Sequence, residues 1–231
     1  MTGDRAAEGA VTSAASGPQL PPPDHPDLTR LAGALRSRPA DLVSTVLDPA
    51  WCVLATLTVV SVASTSTVPA AAAWVLLSAF FCVGVPMLLL AALLRQGLVL
   101  DRHVVVREQR RLPLAGALAS FVVGTVVLLV AGAPAGVLAL VVAMVTGLVL
   151  MALVSLQVKA SFHTGVVAGS VVVLGLVLGW PWGLGLSPLV PLAGWARVRA
   201  GRHTVGQVGL GVGIGAASAA LVFPVVVRWA A

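Results

Sequence analysis

From about residue 50 to its end, this chain is one apolar run after another, most of them long enough to cross a bilayer and almost free of charge. A spanning helix needs about 20 consecutive apolar residues. The runs here reach that length without the apolar–polar alternation of a barrel strand. The sequence therefore predicts an all-α, polytopic integral membrane helical bundle with about seven apolar spans (six or seven). They cover roughly residues 50–68, 73–94, 114–131, 135–156, 164–180, 182–196 and 204–227. The sixth is short and holds Pro188 and Pro191, which predicts a kinked helix. Trp180, Trp182, Trp195 and Trp229 fall at span ends, where interfacial anchors belong.

Ahead of the bundle, residues 1–27 are rich in Gly, Ala, Ser, Pro and Asp and read as a disordered tail. They lack the apolar core of a signal peptide. Residues 28–48 read as a short interfacial segment, with Leu28, Leu31 and Leu35 at helical spacing and Arg30, Arg36 and Arg38 nearby. Residues 49–231 make the bundle. A net charge of +6 in a chain that is 58% hydrophobic and 10% charged does not point to nucleic acid, because the charges lie beside spans. Cys52 and Cys82 both fall in apolar runs and read as packing residues. No cysteine–histidine cluster has zinc-ligand spacing. Small-xxx-small pairs among Gly209, Gly211, Gly213 and Gly215 read as a close helix contact.

Polar residues gather in three stretches, 101–113, 159–163 and 195–207, each joining histidine to arginine or lysine. Counting spans places all three on the face that holds the N-terminus. That face carries Arg30, Arg36, Arg38, Arg95, Arg102, Arg107, Arg110, Arg111, Lys159, Arg197, Arg199 and Arg202, against Arg228 on the other. The positive-inside rule then puts the polar face in the cytoplasm of a cell-membrane protein. Imidazoles and cations together at a bilayer surface suit a phosphate carried by a lipid.

The third stretch has the spacing Arg197-x5-His203-x3-Gln207. Gly201 supplies a break, and His203 and Gln207 share a face if a helix starts near Thr204. A histidine at a helix N-terminus beside an arginine can face an anion. The alternative is a cytoplasmic loop with an interfacial histidine. On these residues the chain resembles the type 2 phosphatidic acid phosphatase superfamily, whose third motif is Ser-Arg-x5-His-x3-Asp. The second motif, Pro-Ser-Gly-His, is matched in part by Ala160, Ser161, Phe162 and His163. The first, Lys-x6-Arg-Pro, is met loosely by His103 and Arg110, with Arg107 a further cation. The resemblance covers about residues 95–228.

The resemblance implies a metal-independent lipid-phosphate phosphatase without cofactor, acting on a polyprenyl phosphate or diphosphate or on phosphatidic acid. His203 would be the nucleophile and His163 the general acid. Gln207 would orient His203. His103, Arg107, Arg110, Lys159, Ser161 and Arg197 would bind the phosphate. The chain departs from the motifs at Gln207, where an aspartate is expected, and at Phe162, where a glycine is expected. Those departures keep a second reading open, a catalytically weak or inactive phospholipid-binding membrane protein of the same fold. Transport has less support, because no charge lies deep within a span.

Overall fold

The protein was analysed as a computed structural model that describes residues 38–100, 109 and 111–230. Among these residues every regular element is helical. In chain order they are α1 (Arg38–Val46), α2 (Pro49–Ala63), α3 (Val68–Ala79), a π-helical turn (Phe80–Gly84), α4 (Val85–Arg95), α5 (Arg111–Val130), α6 (Ala135–Ser155), α7 (Phe162–Leu178), α8 (Trp180–Leu186), α9 (Leu189–Arg199) and α10 (Val205–Ala230). Five stretches are long and apolar enough to cross a membrane: Pro39–Ala63, Val68–Arg95, Arg111–Val130, Ala135–Ser155 and Val205–Ala230. The chain is an all-α membrane bundle.

Local chemistry explains the boundaries. Asp48 caps α2 by accepting from the Ala50 amide at 3.1 Å, with Pro49 in the first helical position. The first apolar span thus begins at Pro39 rather than near residue 50, and it bends at Leu47–Asp48 between α1 and α2. Pro86 lies just past the π turn. It has no N–H to give back along the helix, and the Ser120 hydroxyl from α5 donates to the Phe81 carbonyl at 2.6 Å. A neighbouring helix so satisfies a backbone oxygen that lipid could not.

The expected sixth span is not one kinked helix but two. Gly179, at φ +101°, ends α7 in a conformation that suits glycine. The chain then turns back as α8, of 7 residues, breaks at Ser187–Pro188, and resumes as α9, of 11 residues. At 1.5 Å per residue α9 is about 16 Å long, half of a bilayer core. The proline pair therefore breaks the helix where a kink was expected. Of the residues expected in a surface helix at 28–48, those up to 37 lie outside the described residues. The rest form α1, whose buried Ala40 and Ser44 face the bundle and whose exposed Leu42 and Val46 face outward.

The core runs through α6. Val137, Leu138, Ala139, Leu140 and Val141 are buried in succession, so this part of the helix is covered on all sides. Outer helices keep a bare apolar face, as with Val122, Val126 and Leu129 on α5. Helices α7 and α10 cross at glycine. A Cβ on Gly215 would stand 2.6 Å from the Gly165 carbonyl carbon, and one on Gly169 3.2 Å from the Gly215 oxygen. Of the four glycines read as a close helix contact, Gly211 and Gly215 make it, whereas a Cβ on Gly209 or Gly213 meets nothing within 4 Å.

Candidate functional site

The α7–α10 crossing brings two of the three polar stretches together. The residues before α7 run extended, and the Ser161 amide donates to the Gln207 carbonyl in the first turn of α10 at 3.0 Å. One turn on, the Thr164 hydroxyl bridges the Ser161 carbonyl at 3.1 Å and the Val208 carbonyl at 3.2 Å. Two segments more than 40 residues apart in sequence are thus joined by hydrogen bonds to backbone oxygens at one end of the bundle. His163 sits in the first turn of α7, and His203 just before α10, so both imidazoles stand at that end.

A tight turn builds the His203 side. Gly201, at φ +66°, lets the chain reverse after α9, and the amides of Arg202 and His203 both donate to the Arg197 carbonyl, at 3.1 and 3.3 Å. Thr204 and Gln207 then form a reciprocal cap. The Gln207 amide donates to the Thr204 hydroxyl at 3.4 Å, and the Thr204 amide donates to Gln207 Oε1 at 3.2 Å. The same Oε1 lies 3.3 Å from His203 Nδ1. An atom that accepts from a backbone N–H is the amide oxygen, so Nδ1 must carry the proton of this pair. The neutral tautomer then has its lone pair on Nε2.

The site is polar yet withdrawn from water. Lys159, Ser161, His163, Thr164, Arg197 and His203 are all buried, Arg197 to 2% exposure. Two cations and two imidazoles thus lie buried at one end of an apolar bundle, where charges are poorly screened. The end of α9 supplies Arg197, the loop after α6 supplies Lys159, and the helix starts supply the histidines.

Asp48 also belongs to this group. Its Oδ2 lies 3.9 Å from His163 Nε2, while its other oxygen caps α2. The sequence reading assigned Asp48 to the interfacial segment and gave it no role in the site. An Asp-Pro pair at the start of an apolar run is a helix-start signal that could have drawn attention to it. Asp41 adds a peripheral contact, 3.9 Å from Arg202. His103, Arg107 and Arg110 lie outside the described residues. The nearest described position, Gln109, accepts from the Leu100 amide at 3.1 Å. Cys52 and Cys82 are free thiols, as expected of packing residues. Among the described residues no three His, Cys, Asp or Glu side chains gather as a metal-binding group. Comparisons with protein-family models, with curated proteins and with solved structures found no match for this chain.

Proposed function

We propose that this protein hydrolyses a phosphate or diphosphate carried by a membrane lipid, through a phosphohistidine on His203. The observation that carries the proposal is the Gln207-oriented tautomer of His203 at the same bundle end as buried Arg197, Lys159 and His163. In the first step His203 Nε2 attacks phosphorus and the bond to the leaving oxygen breaks. Protonated His163 gives that oxygen its proton. In the second step neutral His163 takes a proton from water, the water oxygen attacks phosphorus, and the P–N bond breaks. Phosphate leaves and both imidazoles return to their starting forms. Arg197 and Lys159 meet the charge of the phosphoryl oxygens, with His103, Arg107 and Arg110 assigned the same task.

Asp48 fits this scheme as the group that favours the acid form of His163, since a nearby carboxylate stabilises an imidazolium. Gln207 fits it as the group that fixes the Nδ1–H tautomer of His203 and holds its ring in place. A carboxylate is then beside the acid and an amide beside the nucleophile. One observation favours the second reading, binding without turnover. Gln207 already serves as the reciprocal cap of α10, which gives it a structural reason to be there.

The test is phosphate release from polyprenyl phosphates, polyprenyl diphosphates and phosphatidic acid by the purified protein in detergent. Release that disappears in His203→Ala and in His163→Ala supports hydrolysis. No release from any of these lipids, or release unchanged in His203→Ala, refutes it. The site end of the bundle carries Arg95, Arg111, Lys159, Arg197, Arg199 and Arg202, and the far end of α10 carries Arg228. This asymmetry supports a cytoplasmic site in the cell membrane.

A further inference from the structure

Directly beneath the histidine end lies a cavity of about 310 Å³, within the range of small-molecule sites. Its mouth abuts the residues just discussed. Pro49 and Ala50 follow Asp48, and Phe162 precedes His163. From there it runs between α2, α4, α5, α6, α7 and α10, past the small residues Gly147, Gly165, Gly169 and Gly215. Its inner wall includes Leu140, Val173 and Ala219, all buried in the core. Among the described residues no charged side chain lines it, and its polar lining residues include Thr56, Ser170 and Ser218. A cleft lined almost wholly by apolar side chains holds water poorly. It calls for an apolar occupant.

We infer that this cavity holds one aliphatic chain, the tail of the same lipid whose phosphate meets His203. The inference rests on the proposed function and narrows its substrate to lipids that enter by a single slender chain. Two independent measures of the cavity agree. From Phe162 to Val173 the wall of α7 rises about 16 Å. An extended chain with C–C bonds of ~1.5 Å advances about 1.3 Å per carbon, so that depth takes roughly a dozen carbons. A methylene fills about the ~30 Å³ share of a liquid water molecule, so the volume takes roughly ten. A single-chain phosphate, linear or polyprenyl, threads its first ten to twelve carbons inward, and any remainder emerges from the bundle.

The experiment uses the full-length protein in detergent and n-alkyl phosphates of four, eight and twelve carbons, each with a photoreactive diazirine at the chain end. Labelled residues are read by mass spectrometry. The expected label moves inward with chain length. It lies near Phe162 and Met151 for four carbons, and near Leu140, Ala143 and Ala219 for twelve. Deep labelling by the twelve-carbon phosphate exceeds labelling of Val122, Val126 and Leu129 on the outer face at least tenfold. It also exceeds deep labelling by twelve-carbon alcohol with the same diazirine at least tenfold. A label on the outer face at every chain length overturns the inference. So does equal deep labelling by the alcohol, which would make the occupant any bilayer chain rather than the tail of a bound phosphate. The variant Gly147→Leu provides a second arm. Gly147 and its nearest neighbour Ser218, whose oxygen would stand 3.5 Å from a Cβ on Gly147, both line the cavity, so a leucine side chain there takes up cavity space. It is expected to expel the twelve-carbon label to the mouth and leave the four-carbon label in place; an unmoved twelve-carbon label counts against the inference. Labelling needs no turnover. Deep labels without phosphate release reject only hydrolysis, and phosphate release with outer labels rejects only the tail cavity.

Discussion

Replacing Gly211 by alanine adds one methyl group at the place where the two halves of the site are joined. A Cβ at this position would stand 2.7 Å from the Thr164 hydroxyl and 3.1 Å from the Ser161 carbonyl carbon, with the Ser161 oxygen closer still. Carbon atoms pack at about 3.5–4.0 Å, so α7 and α10 must part by roughly 1 Å. Overpacking of this kind costs about 1–3 kcal/mol. The bonds from the Ser161 amide to Gln207 and from Thr164 to Val208 loosen, at about 1 kcal/mol each if lost. Against this, alanine gains about 1 kcal/mol over glycine in helix propensity. The expected net is a loss of about 1–3 kcal/mol, measured by thermal unfolding in detergent. A shift of about 1 Å in the phosphate-facing groups is expected to lower phosphate release about 100-fold. Gly209→Ala and Gly213→Ala are the controls, because nothing lies within 4 Å of their added methyls. They are expected to equal the parent or gain up to about 1 kcal/mol. A Gly211→Ala protein as stable and as active as Gly213→Ala would refute the claim that the crossing holds the site together.

Three further expectations follow from the geometry. Asp48→Asn keeps a good helix cap on α2 but removes the charge beside His163. Stability should hold within about 0.5 kcal/mol, and turnover should fall about 10- to 100-fold, part of what a general acid contributes. Gln207→Glu preserves the reciprocal cap and offers a carboxylate to His203. An amide in place of an orienting carboxylate costs about 10⁴-fold in a serine protease, so kcat should rise by at least about tenfold here, and a fall would show that the neutral pair is preferred. With Cys52 and Cys82 replaced by alanine, a cysteine at exposed Gln96, at the histidine end, should react with an impermeant thiol reagent only after cells are opened. Labelling in intact cells would reverse the orientation.

Much of the fold was legible because a bilayer imposes length and hydropathy on every span. The runs now seen as α5, α6 and α10 could be bounded to within a few residues on that basis. What could not be read were the places where a helix breaks or joins another. Pro188 and Pro191 signal a disturbance, but only tertiary packing decides between a kink and the two short helices α8 and α9. The extension of the first span back to Pro39 was hidden by Asp41 and Asp48, which look like interfacial residues until their partners are known. In the site, Arg-x5-His-x3-Gln was visible as a spacing, and Thr-x-x-Gln as a helix start. That Ser161 and Gln207 would share a backbone bond depends on glycine against glycine between α7 and α10, a contact between elements that no local pattern encodes. The choice among Gly209, Gly211, Gly213 and Gly215 likewise needed the helix rotation, since all four have the same spacing to a neighbour.

His203 is the proposed nucleophile, and a phosphohistidine there can be trapped. The protein is mixed with a lipid phosphate carrying radioactive phosphorus, quenched within a turnover and digested for mass spectrometry. The account expects phosphate on His203, absent in His203→Ala and accumulating in His163→Ala with a substrate whose leaving group needs no proton. Phosphate on no residue while the lipid is still hydrolysed, or phosphate on a residue other than His203, would contradict it.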